Sequence, residues 1–193
     1  MSYAMARNGR IYSKIMKLCI FCSANSKIAS EYFSATEALG RWAGEQGHTI
    51  VFGGCDLGLM ACVAKTTRAA GGMTIGVVPT IVEERGRTSS EMDVHIPCSD
   101  LNDRKALMMM QSDVFIALPG GIGTLDEIFT VAASATIGYH HKPVILYNVE
   151  GFWESRIALL DDMEKKGMVR GNWHEQIRVV NTLKELEDCL TND

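Results

Sequence analysis

The sequence predicts a doubly wound, mostly parallel α/β sheet with helices on both faces, and three observations carry that expectation. Short apolar runs alternate with segments of helical periodicity along the chain. The runs are apolar at consecutive positions, as strands covered on both faces require. Glycine-rich turns follow directly after two of them, at the sheet edge where such folds bind ligands. With 193 residues, 47% of them hydrophobic and 22% charged, the chain can bury one core, so a single domain is expected over 16–193. Residues 1–15 read as a dispensable N-terminal extension.

Leu18–Ser23 is the first expected strand. Ile28, Tyr32, Ala35, Leu39 and Trp42 then recur at helical spacing, and Gly47 stops that helix. Thr49–Phe52 forms the second strand, 58–70 a helix, and Met73–Val78 the third strand. Pro79–Glu91, carrying Glu83, Glu84, Arg85 and Arg87, is the longest irregular stretch, either a lid or a solvated loop. Met92–Ile96 is the fourth strand, and a helix over 101–111 opens with Asp100 as its cap. In that helix the run Met108-Met109-Met110 reads as core filling. Val114–Leu118, a helix over 124–137, Val144–Tyr147 and helices over 152–166 and 183–190 complete the pattern.

The net charge of −4 and the lack of a Lys/Arg run argue against nucleic-acid and membrane-surface partners. No apolar stretch approaches the roughly 20 residues that span a bilayer. The run Leu18 to Cys22 is too short for a signal-peptide core, so a cytoplasmic protein is expected. Cysteines at 19, 22, 55, 62, 98 and 189 read as reduced thiols. Cys19 and Cys22 form a C-x-x-C, but odd spacing in a strand points them to opposite faces, and no second pair accompanies them. Neither a metal nor a cofactor is expected. His48, His95 and His174 are left unassigned, and His140 and His141 read as surface or interface residues.

The strand ending at Leu118 runs into Pro119-Gly120-Gly121-Ile122-Gly123-Thr124-Leu125-Asp126-Glu127. Glycines admit a ligand close to the backbone, and the N–H groups and dipole of the following helix favour an anion. Thr124 adds a hydroxyl donor. The spacing excludes a dinucleotide fingerprint, which needs glycine at Asp126, and a P-loop, which needs Gly-Lys-Ser/Thr. Alternatively, Thr124 and Glu127 form a capping box that needs no ligand. A second turn, Gly53-Gly54-Cys55-Asp56-Leu57-Gly58-Leu59-Met60, follows the second strand, so two turns suggest a shared crevice. Ser23-Ala24-Asn25-Ser26 could offer hydroxyl and amide contacts there, with Ser26 equally suited to cap the next helix. Arg104 and Lys105, near a helix start that disfavours cations, invite an anionic neighbour: Asp103, Glu127 or a substrate phosphate.

Together, Gly53-Gly54-x-x-x-Gly58-Leu59-Met60, Arg104-Lys105 and Pro119-Gly120-Gly121-x-Gly123-Thr124-x-x-Glu127 resemble the Lonely Guy family of nucleotide phosphoribohydrolases. The resemblance covers residues 17 to about 170, including Lys142-Pro143-Val144 through Asn148 and Gly151. It implies a Rossmann-like homodimer that hydrolyses 5'-monophosphates of adenosine or N6-substituted adenosines to base and ribose 5-phosphate. It further implies Arg104 and Glu127 as the catalytic pair. Substrate contacts would come from Ser23, Gly54, Lys105, Gly120, Gly121, Gly123, Thr124 and Asp126. A carboxylate beside the sugar suits that chemistry, since departure of a purine builds oxocarbenium charge on the ribose. Arg104 would orient Glu127 and keep it ionised, or clamp the phosphate.

This chain departs from the family pattern at Leu101-Asn102-Asp103, at Cys55, where a third glycine is usual, and at Ala135-Thr136-Ile137, where a tryptophan is missing. The changes fall where the base would be recognised, so plain AMP is as good a candidate as a cytokinin ribotide. Two other readings compete. A non-catalytic nucleotide or molybdopterin-type carrier would need no carboxylate beside the phosphate. A pyridoxal-dependent decarboxylase would need a Schiff-base lysine, for which only Lys105 and Lys142 are plausibly placed.

Overall fold

The computed structural model describes residues 14–191; most of the proposed extension, residues 1–13, lies outside them. Seven strands form one sheet in the order β4-β3-β2-β1-β5-β6-β7. They are β1 Lys17–Phe21, β2 Thr49–Phe52, β3 Met73–Pro79, β4 Val94–Cys98, β5 Val114–Ala117, β6 Val144–Tyr147 and β7 Ile177–Val180. Every neighbouring pair is parallel. Winding runs outward from β1 to β4, then returns to the other side of β1 at β5, so the topological switch lies between β1 and β5.

Seven α-helices cover the sheet: α1 Ser30–Glu45, α2 Gly58–Ala69, α3 Thr80–Glu84, α4 Leu101–Gln111, α5 Ile122–Thr136, α6 Glu154–Lys165 and α7 Leu183–Thr191. Side-chain alternation in β1 divides the core. Leu18 and Ile20 point toward α1, α2 and α7 with Leu39, Val63 and Leu186, while Cys19 and Phe21 point toward α4, α5 and α6 with Met108, Ile128 and Leu160. Cys19 and Cys22 accordingly sit in opposite cores, and none of the six cysteines is in a disulfide.

Several expectations are corrected. The fourth strand starts at Val94 rather than Met92, because the Asp93 carboxylate accepts from the backbone N–H and hydroxyl of Thr74 and ends the loop there. β7 is an edge strand that the periodicity did not mark. The first helix begins at Ser30, two residues past Ile28, and Ser26 does not cap it; its Oγ instead accepts from Gly58 N–H at 3.2 Å. The methionine run is mixed: Met108 is fully buried but Met110 is exposed. The Pro79–Glu91 stretch contains α3, and its later half is tied to the second glycine turn by a Cys55–Thr88 antiparallel bridge and by Asp56 N–H to Arg87 O at 2.9 Å. Among the described residues no helix is long and apolar enough to cross a membrane.

Candidate active site

The end of β1 joins the two glycine turns at the switch point. Ser23 N–H donates to Pro119 O at 3.1 Å, and Ser23 O accepts from Leu59 N–H at 2.9 Å. Gly58 adopts φ +58° with its α-carbon against the Ser23–Asn25 backbone, where a Cβ would lie 2.6 Å from the Ala24 carbonyl carbon. Ser23 therefore splices both turns through its backbone, while its Oγ is used locally, accepting from Asn25 N–H at 3.0 Å.

The first turn opens α5. Its N-cap is Gly121, which supplies no side-chain cap, so Thr124 and Glu127 stand inside the helix and the capping-box alternative is not built. Apart from the adjoining residues and the helix's own backbone, nothing lies within 4 Å of where a Cβ would stand at Gly121 or Gly123, so the backbone there is open. Gly120 differs: its missing side chain is what lets Thr124 Oγ1 pack over it. The result is an uncapped helix start with accessible N–H groups, which favours an anion.

Arg104 arrives from α4. Asp100 caps that helix as expected, accepting from the N–H groups of Asn102 at 2.7 Å and Asp103 at 2.9 Å. Asp103 is drawn away by Ser99, whose N–H and hydroxyl it accepts. The Arg104 guanidinium instead enters the space left by Gly53, where a Cβ would strike Nη2 and lie 2.7 Å from Cζ. Gly53 is thus a site residue that the sequence reading left out while naming Gly54; the pair of adjacent glycines was the available signal. Gly54, at φ +68°, is backed by Val78 and Met92.

Arg104 Nη2 lies 3.4 Å from Glu127 Oε1, with only 12% and 8% of the two side chains exposed. The Arg104 Nε and Nη2 atoms are buried and make no hydrogen bond. Buried guanidinium donors without acceptors are costly, of order 1–3 kcal/mol each, and such orphans mark functional positions. Burial pushes the Glu127 carboxyl up to about 7, against the opposing pull of Arg104. Arg104 favours the ionised carboxyl, as one of its two expected roles requires, but desolvation outweighs that pull.

The neighbouring residues pair separately. Lys105 Nζ bonds both carboxylate oxygens of Asp126 at 2.8 Å, so in this state it faces a protein carboxylate. Lys142 Nζ donates to Met109 O at 2.8 Å. Neither lysine is placed as a free amine beside the α5 glycine turn. Among the described residues, no group of three or more His, Cys, Asp or Glu side chains is arranged to share a metal ion.

Known proteins resemble this chain in sequence and in fold. Residues 60–190 match the family model described as "possible lysine decarboxylase". A probable cytokinin riboside 5'-monophosphate phosphoribohydrolase of Oryza sativa subsp. japonica is 36% identical over 92% of this chain and 84% of its own length. A cytokinin riboside 5'-monophosphate phosphoribohydrolase of Arabidopsis thaliana is also 36% identical, over 90% of this chain and 81% of its own. The molybdenum cofactor binding protein of Rippkaea orientalis shares the fold, with a TM-score of 0.70 at 21% identity over 93% of this chain and 97% of that one. On the extent of the family-model match and the identity to these relatives, the chain belongs to the Lonely Guy family.

Proposed function

We propose that this chain is a nucleotide phosphoribohydrolase that cuts the N-glycosidic bond of a purine nucleoside 5'-monophosphate, releasing free base and ribose 5-phosphate. The observation that carries the reading is Glu127, a nearly buried carboxyl held near neutrality beside a guanidinium with spare donors. A protein that only carried a nucleotide would have no use for a titrating carboxyl at that point. The relatives named above as cytokinin riboside 5'-monophosphate phosphoribohydrolases support the same chemistry.

In this reading the 5'-phosphate rests on the open backbone at Gly121 and Gly123 beside Thr124, with the start of α5 supplying N–H donors. The Gly54 turn and the Ser23 segment wall the opposite side. The ribose lies over Glu127. As the C1'–N9 bond breaks, its electron pair leaves with the base and positive charge grows on the sugar. Ionised Glu127 stabilises that charge and takes a proton from the attacking water, and this proton is passed on to the departing base, so that the hydroxyl of the water ends on C1' and its hydrogen on the base nitrogen. Arg104 donates its unpaired N–H groups to the sugar or phosphate oxygens and holds the Glu127 carboxylate in line.

Lys105 and Asp126 act as a tether between α4 and α5 rather than as direct ligands. The homodimer implied by the resemblance would cover apolar side chains that the single chain leaves exposed on α4 and α5, Met110 and Ile122 among them. With the base-side departures at Cys55 and at 135–137, AMP is the first substrate to try.

The test is incubation of the protein with AMP, N6-substituted adenosine monophosphates, adenosine and lysine, with chromatographic separation of free base, ribose 5-phosphate and diamine. Base release from monophosphates but not from adenosine is expected. Tight AMP binding without any product would sink the hydrolase reading in favour of a carrier.

A further inference from the structure

The Arg104 guanidinium is held by shape. Its buried Nε and Nη2 make no hydrogen bond, and its ion-pair partner Glu127 stands at 3.4 Å. What receives it is the space that Gly53 leaves open, bordered by the sulfur of Met60. The position of the arginine therefore follows the position of the Gly53–Gly54 turn, and whatever sets that turn acts on the Arg104–Glu127 pair.

The turn is laced to the chain at 87–89. Asp56 N–H donates to Arg87 O at 2.9 Å and Ser89 N–H to Gly54 O at 2.8 Å, and Cys55 and Thr88 form an antiparallel bridge between them. The residues that follow are tied down in their turn. Thr74 of β3 donates its hydroxyl to Glu91 O at 2.8 Å and its N–H to the Asp93 carboxylate at 2.9 Å. Arg68, in the last turn of α2, reaches Ser90 O and the carboxylates of Glu91 and Asp93.

Met92 lies between these pinned residues, and its side chain fills a niche that two glycines leave beneath the turn. A Cβ at Gly76 of β3 would strike the Met92 sulfur and lie 2.8 Å from its Cγ, and a Cβ at Gly54 would lie 3.4 Å from the same sulfur. The Gly76 Cβ position is also 3.2 Å from the Gly54 Cα, so strand and turn are close enough there that only a slim side chain fits. An unbranched thioether suits such a gap.

We infer that Met92 is a positioning residue: its thioether braces the Gly53–Gly54 turn against β3 and so holds the Arg104 guanidinium beside Glu127. Truncation to alanine removes Cγ, Sδ and Cε from behind a backbone that closes only in part over the gap. A shift of about an ångström at a reacting group can cost on the order of 10² in rate. The kinetic arm of the test rests on the hydrolase reading, and the titration arm does not.

The titration follows the Glu127 carboxyl by ¹³C NMR of the full chain labelled at its glutamate carboxyls, the resonance being identified by its loss in Glu127→Gln. Arg104 pulls against the burial that raises this carboxyl to about 7, while Asp126 and Lys105, which also act on it, are untouched by changes at Met92. Loosening the arginine in Met92→Ala should move the midpoint further up by about half a pH unit, a fraction of what an adjacent opposite charge is worth. Met92→Leu, of similar volume, should restore the parent midpoint. With AMP, kcat of Met92→Ala should fall about tenfold, read well above the midpoint where the carboxyl is ionised in parent and variant alike, with KM within about threefold. A mere filler would lower Tm and leave midpoint and kcat where they were. That result, a midpoint that moves down, or a Met92→Leu as impaired as Met92→Ala would each overturn the inference. A raised midpoint in a chain that turns over no nucleotide would remove the hydrolase reading and still support the brace.

Discussion

Two ion pairs join α4 to α5 at successive positions of both helices, and they are built in opposite ways. The outer pair, Lys105–Asp126, is short and bidentate, with the Asp126 side chain half exposed at 50%. The inner pair, Arg104–Glu127, is longer at 3.4 Å, almost closed to solvent, and leaves the arginine Nε without a partner and Nη2 in ion-pair contact with Glu127 but without a hydrogen bond. An exposed pair contributes at most about 1 kcal/mol, whereas a buried pair recovers its desolvation cost only with full hydrogen bonding. The outer pair is thus complete as it stands. The inner one is left with spare donors and a carboxyl near neutrality, which is the state a site needs before substrate arrives. The same two helices carry both, so one pair fixes their separation while the other is free to act.

The sharpest break of this contrast is Glu127→Gln. It should lower kcat for AMP by on the order of 10²–10⁴ while nucleotide binding changes little. In the parent protein the rate should fall as pH drops through about 7, where Glu127 takes up its proton. Stability should run the other way. The folded carboxyl titrates above its ordinary value, so it favours the fold fully below about pH 4.5 and loses that contribution as pH rises through about 7. At about 1.4 kcal/mol per pH unit the loss is roughly 3 kcal/mol. Urea denaturation from pH 5 to 8 should show this decline in the parent and not in Glu127→Gln. A variant with full rate, or with the same decline, would remove Glu127 from its role.

The next break moves the arginine without touching either charge. In Gly53→Ala the new Cβ falls on the guanidinium, which must shift by about an ångström, a displacement that can cost on the order of 10² in rate. A tenfold to hundredfold loss of kcat/KM is expected, with about 1–3 kcal/mol of stability lost to the crowding. Parent-like turnover would mean that the position of Arg104 does not matter to the reaction.

Much of this was legible in the sequence, and unequally. Strands β1, β2, β3, β5 and β6 declared themselves because they are largely buried on both faces and therefore mostly apolar, whereas β4, an exposed edge strand carrying His95 and Pro97, was legible only with its start misplaced. β7 did not, because an edge strand of four residues carrying Arg178 offers no such run. Met92 looked like the start of β4, yet its sulfur packs against Gly54 and Gly76, a long-range contact that local pattern cannot anticipate. In the crevice, the residue types of the inner pair were visible through family resemblance. What they do to each other was not: burial of Glu127 arises from the packing of α5 on the sheet, and that burial, rather than the adjacent arginine, sets its titration. The same holds for the capping box, whose residues were present at the right spacing while the N-cap of α5 falls three positions before Thr124, at Gly121.

The smallest effect belongs to the outer pair, and it sharpens the comparison most finely. The family resemblance assigns Lys105 to the substrate, while in this structure its ammonium is taken up by Asp126. If the pair is a tether, Lys105→Met and Asp126→Asn should each cost under about 1 kcal/mol in urea denaturation. Both should also leave KM for AMP within about threefold, since rim-exposed charges contribute little to binding energy. If instead Lys105 leaves Asp126 for the phosphate when substrate binds, the two variants must diverge. Lys105→Met would raise KM about tenfold through the lost charge-assisted contact, and Asp126→Asn, by releasing the lysine, would lower it. Equal and small shifts in both keep α4 and α5 divided between holding and acting; opposite shifts would make the outer pair a switch that substrate opens.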